Sequence, residues 1–155
     1  MIPLRVVVIV GCPEPPLLIP STIYLLNMLK NCGCEVIISA NPAALKLLET
    51  TDPERYYLKG VGFQDIEKGL KNRLEVDAII GFVHNDAGVN YLISYKSVYN
   101  AKTYALVFGR EIKKEYIEDL KEEGIVTYSV RAFHNPIPVI VKLKELIQQV
   151  SRQHF

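Results

Sequence analysis

Two histidines in this chain close apolar runs and are followed at once by asparagine. One ends Ile79-Ile80-Gly81-Phe82-Val83-His84-Asn85-Asp86; the other stands in Val130-Arg131-Ala132-Phe133-His134-Asn135-Pro136. An imidazole changes charge near neutral pH, so His84 is a candidate acid–base or ligand donor, with Asp86 orienting it or receiving a proton. Asn85 or Asp86 equally suits the N-cap of a following helix. Asn135 and Pro136 suit a cap and a first helical residue, which leaves His134 the weaker candidate. Cys12 and Glu14 follow another apolar run, Arg5 to Val10. A thiolate at Cys12 needs a nearby cation, and Glu14 works against it, so ordinary packing is the expectation there. Cys32-Gly33-Cys34 has one residue between its cysteines, not the two of a redox or zinc pair, and reads as a helix stop. Arg110 and Arg131 follow neighbouring strands and can converge on a phosphate or carboxylate, or serve as surface ion pairs.

The elements that must position these residues alternate strictly. Val-Val-Val-Ile-Val at residues 6–10 suits a strand buried on both faces. Pro13-Glu14-Pro15-Pro16 ends it, Pro20-Ser21 opens a helix to about Asn31, and Gly33 stops that helix. Glu35–Ser39 is a second strand, and Asn41-Pro42 caps a helix through about Leu48. Tyr56-Tyr57-Leu58 is read as a short edge strand, and Phe63, Ile66, Leu70 and Leu74 recur at helical spacing. Strands are expected over 77–83, 103–108 and 125–130, and helices over 86–99, 112–123 and 136–150. Such alternation predicts a single three-layer α/β domain over residues 1–155, with a mainly parallel sheet of five or six strands, Rossmann-like or flavodoxin-like.

Without the Tyr56 strand the order is 2-1-3-4-5; with it, 3-2-1-4-5-6. Both put Arg5–Val10 beside Ala78–Val83, where the chain reverses its direction of travel. The crevice at that switch point is then flanked by Gly11–Pro16 and His84–Gly88. The ligand-facing set is therefore Cys12, Glu14, His84, Asn85, Asp86, Arg110, Arg131 and His134. The strands of His84 and His134 lie two positions apart, roughly 10 Å at ~4.8 Å per strand. Zinc needs contacts near ~2.1 Å, so no metal site is expected.

Composition narrows the function classes. The chain has 155 residues, 49% hydrophobic and 23% charged, with a formal charge of +1. That suits a globular domain and offers no basic stripe for nucleic acid. Lys71 and Arg73 are balanced by Glu67, Glu75 and Asp77, and Lys113 and Lys114 by Glu111, Glu115 and Glu118, as on solvated helix faces. No apolar run is long enough to span a membrane. Ile9-Val10-Gly11-Cys12 resembles a lipoprotein cleavage box, but the run before it is short and reads as a core strand. Three cysteines and no signal peptide point to the cytoplasm. G-x-G-x-x-G, P-loop, G-x-S-x-G and H-E-x-x-H motifs are all missing, so no cofactor is named.

A partner is suggested by apolar excess. Ile23, Tyr24, Leu25, Leu26, Met28 and Leu29 nearly encircle the first helix, after Leu17, Leu18 and Ile19. A helix covering one sheet face needs a single stripe. Tyr91, Tyr95 and Tyr99 form a second stripe of a residue type favoured at interfaces. A homodimer is the expectation.

Val7, Ile9 and Gly11-Cys12-Pro13-Glu14-Pro15-Pro16, with Gly81-Phe82-Val83-His84-Asn85-Asp86-Ala87-Gly88, give the chain its resemblance to a small family of uncharacterised archaeal proteins, chiefly from methanogens. The resemblance spans nearly the full length. It implies a Rossmann-like fold and a cytoplasmic archaeal protein, and it transfers no catalytic residue. The strand–helix–strand start Val6–Ser39 and Ala44-Leu45-Lys46-Leu47-Leu48 are also similar to DsrE-type sulfur-relay proteins. Where those carry a working cysteine after a later strand, this sequence has His84 and Gly109. Three functions follow in order: binding of a small, anionic metabolite or cofactor, a homo-oligomeric interaction subunit, and an enzyme using His84.

Overall fold

The computed structural model describes residues 3–72 and 74–154; Arg73 lies outside the described residues. Strands β1 (Arg5–Val10), β2 (Glu35–Ala40), β3 (Gly62–Asp65), β4 (Ala78–Val83), β5 (Lys102–Gly109) and β6 (Val126–Arg131) form one parallel sheet in the order β3-β2-β1-β4-β5-β6. Helices α1 (Leu18–Asn31), α2 (Pro42–Thr51) and α5 (Ile137–His154) cover one face, and α3 (Asp86–Tyr99) and α4 (Lys114–Glu122) the other. Alternation along β1 fills both cores: Val6, Val8 and Val10 pack under α1 and α5, Val7 and Ile9 under α3. Near-continuous β-branched burial is what a doubly covered parallel strand requires.

The third strand differs from expectation. Tyr56, Tyr57 and Leu58 form no strand, because their N–H groups donate to the buried carboxylate of Asp52 at 2.9, 2.8 and 3.0 Å. That fan of bonds curls the segment into turns. The strand is Gly62–Asp65, paired with β2 through Ile37–Gly62 to Ala40–Asp65. Phe63 and Ile66, read at helical spacing, belong to this strand and its exit, and only a short 3-10 turn follows at Lys68–Lys71. Gly60-Val61-Gly62 is thus the entry to an edge strand.

The apolar excess of α1 is largely absorbed within the chain. Leu17, Leu18, Ile19, Leu25, Leu26 and Leu29 are buried, in one cluster with residues of α2 and α5. Ile23, Tyr24 and Met28 are half-buried. The tyrosine stripe is likewise engaged. Tyr95 donates to the Ile66 carbonyl at 2.7 Å, Tyr99 to the Gly69 carbonyl at 2.7 Å, and Tyr91 to the Glu67 carboxylate. The three hydroxyls pin the β3–β4 connection onto α3. Gly81 lets α3 lie close on the sheet, since a Cβ there would stand 2.6 Å from Leu92 Cδ1. No helix among the described residues is long and apolar enough to cross a membrane.

Candidate functional site

β1 and β4 are neighbours with Ile9 opposite Gly81. Carrying that register to the strand exits sets Cys12 opposite His84. There the main chain makes the contact: His84 Nε2 lies 3.3 Å from the Cys12 carbonyl oxygen. A carbonyl only accepts, so Nε2 carries the proton and donates. The ring also rests on Phe108, with centroids 5.4 Å apart and planes at 38°. Burial pulls the imidazole pKa below its ordinary value near 6.5, while the Cys12 carbonyl and Glu14 push the other way. At neutral pH His84 is therefore an uncharged ring with Nε2 committed to Cys12 and Nδ1 left as a lone-pair acceptor.

The neighbours of His84 do other work. Asn85 caps α3: its side-chain oxygen accepts from Gly88 N at 2.8 Å. Asp86 opens the helix, is exposed, and among the described residues shares no hydrogen bond with His84. The orienting partner is the Cys12 carbonyl, not a carboxylate. The Cys12 thiol is exposed and free, and Glu14 is exposed. Beside these exits opens a cavity of about 220 Å³ lined by Gly11, Cys12, Asn41, Asn85, Ala87 and Tyr91, among others. The N–H groups that begin α3 have no carbonyl of their own helix within reach, and they lie at this wall.

The remaining candidates gather elsewhere, over β5 and β6. Arg110 stacks on Phe133, 4.2 Å from guanidinium carbon to ring centroid. Arg131 Nε donates to the Arg110 carbonyl at 3.2 Å. His134 is exposed and packs edge-on against Phe133 at 5.0 Å, while Asn135 caps α5 by accepting from Ile137 N at 3.0 Å. The two arginines are thus adjacent, but Arg110 is laid on an aromatic ring and Arg131 is tied to main chain. Cys32 and Cys34 sit at the opposite end of the sheet, where burial pushes the Cys34 thiol up to about 11. No three metal-ligating side chains come together among the described residues.

One feature separates this edge from a nucleotide site of the same strand order. In such folds a pyrophosphate sits at the N-terminus of the first helix. Here Leu17 N donates to the Phe133 carbonyl at 3.2 Å and Leu18 N to Pro15 at 3.0 Å. Pro20 has no N–H to offer. Two of the amides that would meet a phosphate there are thus already taken, one of them by the loop after β6. A larger hollow of about 630 Å³, lined by Leu70, Asn72, Leu74, Val98 and Tyr99 among others, lies away from the switch point.

Of the ligand-facing residues expected from the sequence, Cys12 and Asn85 line this cavity and Glu14, His84 and Asp86 do not; Asn41, Ile66 and Tyr91 are wall residues outside that expected set. Tyr91 was legible: it stands one helical turn after Ala87, itself two residues past the cap.

Residues 7–146 match the family described as Domain of unknown function (DUF1890). The chain is 58% identical over 144 residues to "Uncharacterized protein MJ0452" of Methanocaldococcus jannaschii, covering 93% of this chain and 97% of that protein. It is similar to the solved structure of MT0777 at a TM-score of 0.86 and 33% identity, covering 93% of this chain and 97% of that one. Match, length and fold agree, and the chain belongs to the DUF1890 family.

Proposed function

We propose that the chain binds a small, anionic metabolite in the crevice between Cys12–Glu14 and His84–Asp86. The observation that carries this reading is a cavity of about 220 Å³ at the switch point, lined by Gly11 and Cys12 from the first strand exit and Asn85, Ala87 and Gly88 from the fourth. That volume suits a compact ligand and not a dinucleotide, in keeping with the occupied amides at the first-helix terminus. Among the described residues no lysine or arginine lines the cavity, so the attraction for an anion comes from the first amides of α3, of which Gly88 N is already taken by Asn85 Oδ1. His84 is not among the residues lining that cavity; its ring rests on Phe108, on the α1/α5 side of the sheet. The free thiols of all three cysteines are in keeping with a cytoplasmic protein.

The test is a titration of small carboxylates and inorganic phosphate followed by amide chemical shifts. Shifts centred on Cys12, Asn85 and Ala87 are expected, and Ala87→Leu, which narrows the cavity, should weaken them. Perturbation confined to Arg110 and Arg131, or none at all, overturns the assignment. A second reading, a self-associating subunit, rests on Ile137 and Val141, one turn apart on α5 and 64% and 52% exposed. Sedimentation at micromolar concentration tests it: a dimer lost on Ile137→Lys supports it, and a clean monomer removes it.

A further inference from the structure

The crevice cavity has a neighbour along α3 that is itself open to solvent. A second cavity of about 270 Å³ adjoins it, lined by Glu67, Leu70, Ala87, Asn90, Tyr91 and Ser94. Ala87 and Tyr91 line both. The partition between the two is therefore a small methyl group and one phenol ring. Movement of that ring alone would more than double the space continuous with the switch point.

The three stripe tyrosines are not equivalent in what holds them. Tyr95 and Tyr99 donate to main-chain carbonyls of Ile66 and Gly69, which cannot turn away. Tyr91 donates to a side chain, the exposed carboxylate of Glu67. The Glu67 backbone is itself fixed, because its N–H donates to Asp65 Oδ1 at 2.8 Å. A charge-assisted bond from a fixed base thus holds the ring upright, and it is released by one rotation of an exposed side chain.

We propose that Tyr91, latched by Glu67, sets the length of ligand this site accepts. Closed, the site takes compact ligands of a few carbons. Open, it admits a linear ligand with a polar end at the switch point and a short apolar tail running past Ala87 to Leu70. This inference rests on the crevice being the binding site.

The test uses the sodium salts of linear monocarboxylates from acetate to octanoate, titrated into the full chain and followed by amide shifts. The wild type should bind acetate to butyrate and lose affinity for longer members. Tyr91→Ala should bind hexanoate and octanoate about tenfold or more tighter than the wild type, by burying methylenes the ring now excludes, with acetate unchanged. Glu67→Ala and Tyr91→Phe, which keep the ring and remove the latch, should give a smaller gain in the same direction and guard against misfolding of the alanine variant. Equal hexanoate affinity in all four proteins, with acetate bound, overturns the gate and leaves the crevice standing. No binding of any member to any folded variant overturns both.

Discussion

The contact between Gly69 and Tyr95 allows a sharp energetic test. Tyr95 is fully buried, stacks on Tyr99 at 5.5 Å, and gives its hydroxyl to the Ile66 carbonyl at 2.7 Å. A Cβ at Gly69 would stand 2.1 Å from that hydroxyl and 2.8 Å from Gln64 Nε2. Tyr95→Phe removes one bond and leaves a carbonyl unmatched, costing about 1–2 kcal/mol. Gly69→Ala must displace the hydroxyl and the Gln64 amide, an overpacking cost of about 2–3 kcal/mol. In the Tyr95→Phe background the closest clashing atom is gone. The double variant should therefore be less destabilised than the sum by about 1 kcal/mol or more. Urea denaturation of the four proteins measures this through their midpoints. Each kcal/mol corresponds to roughly 2–4 °C in Tm for a chain of this size. Additivity within about 0.3 kcal/mol would refute the contact and, with it, the account of how the β3–β4 connection is held at the crevice.

Asn85→Ala removes the α3 cap and should cost about 1 kcal/mol, read as a lower urea midpoint; an unchanged midpoint would mean that Gly88 N finds another acceptor. The His84 ring should titrate below pH 6.5 in an NMR experiment. Its folded pKa lies below its unfolded one, so its contribution is neutral above pH 6.5 and destabilises progressively as pH falls through that value and the folded pKa. A midpoint above 6.5 would contradict the buried, carbonyl-bound ring. Tyr95 and Tyr104 are pushed up to about 12 by burial. Stability held with both phenols protonated should then fall as pH rises from about 10 through 12, and ultraviolet titration should show these two as the latest phenols, with Tyr91 and Tyr128 also raised. If all phenols ionise together near pH 10 in the folded protein, the burial argument fails.

The central strands were legible because their signal is local. Val6–Val10 and Ala78–Val83 are apolar runs closed by polar exits, and either strand order makes them neighbours. Asn41, Asn85 and Asn135 were readable as caps for the same reason, and each accepts the expected N–H. The third strand was not legible, because its placement depends on contacts distant in sequence. Asp52 curls the residues that looked most strand-like, and tyrosines from α3 hold the residues that looked helical. The stripe of Tyr91, Tyr95 and Tyr99 carried a real signal of unusual tyrosine use. What covers it is the chain's own connection, and nothing in helical spacing distinguishes that from a partner. The orienting group of His84 is a main-chain carbonyl, which a search among side chains cannot find.

The bond from Leu17 N to the Phe133 carbonyl ties the first crossover to the loop after the last strand. Its consequence is for the order in which the molecule is made. β1, β2 and β4 can pair early, but the first loop has no partner until β6 has joined the far side of the sheet and α5 has begun. Fixing of the first-helix terminus is therefore a late, long-range event in folding, of the kind that is slow because the intervening chain must be ordered first. A nascent chain that has not yet released β6 and α5 leaves Leu17 and Leu18 without these partners, apolar surface of the kind that favours aggregation.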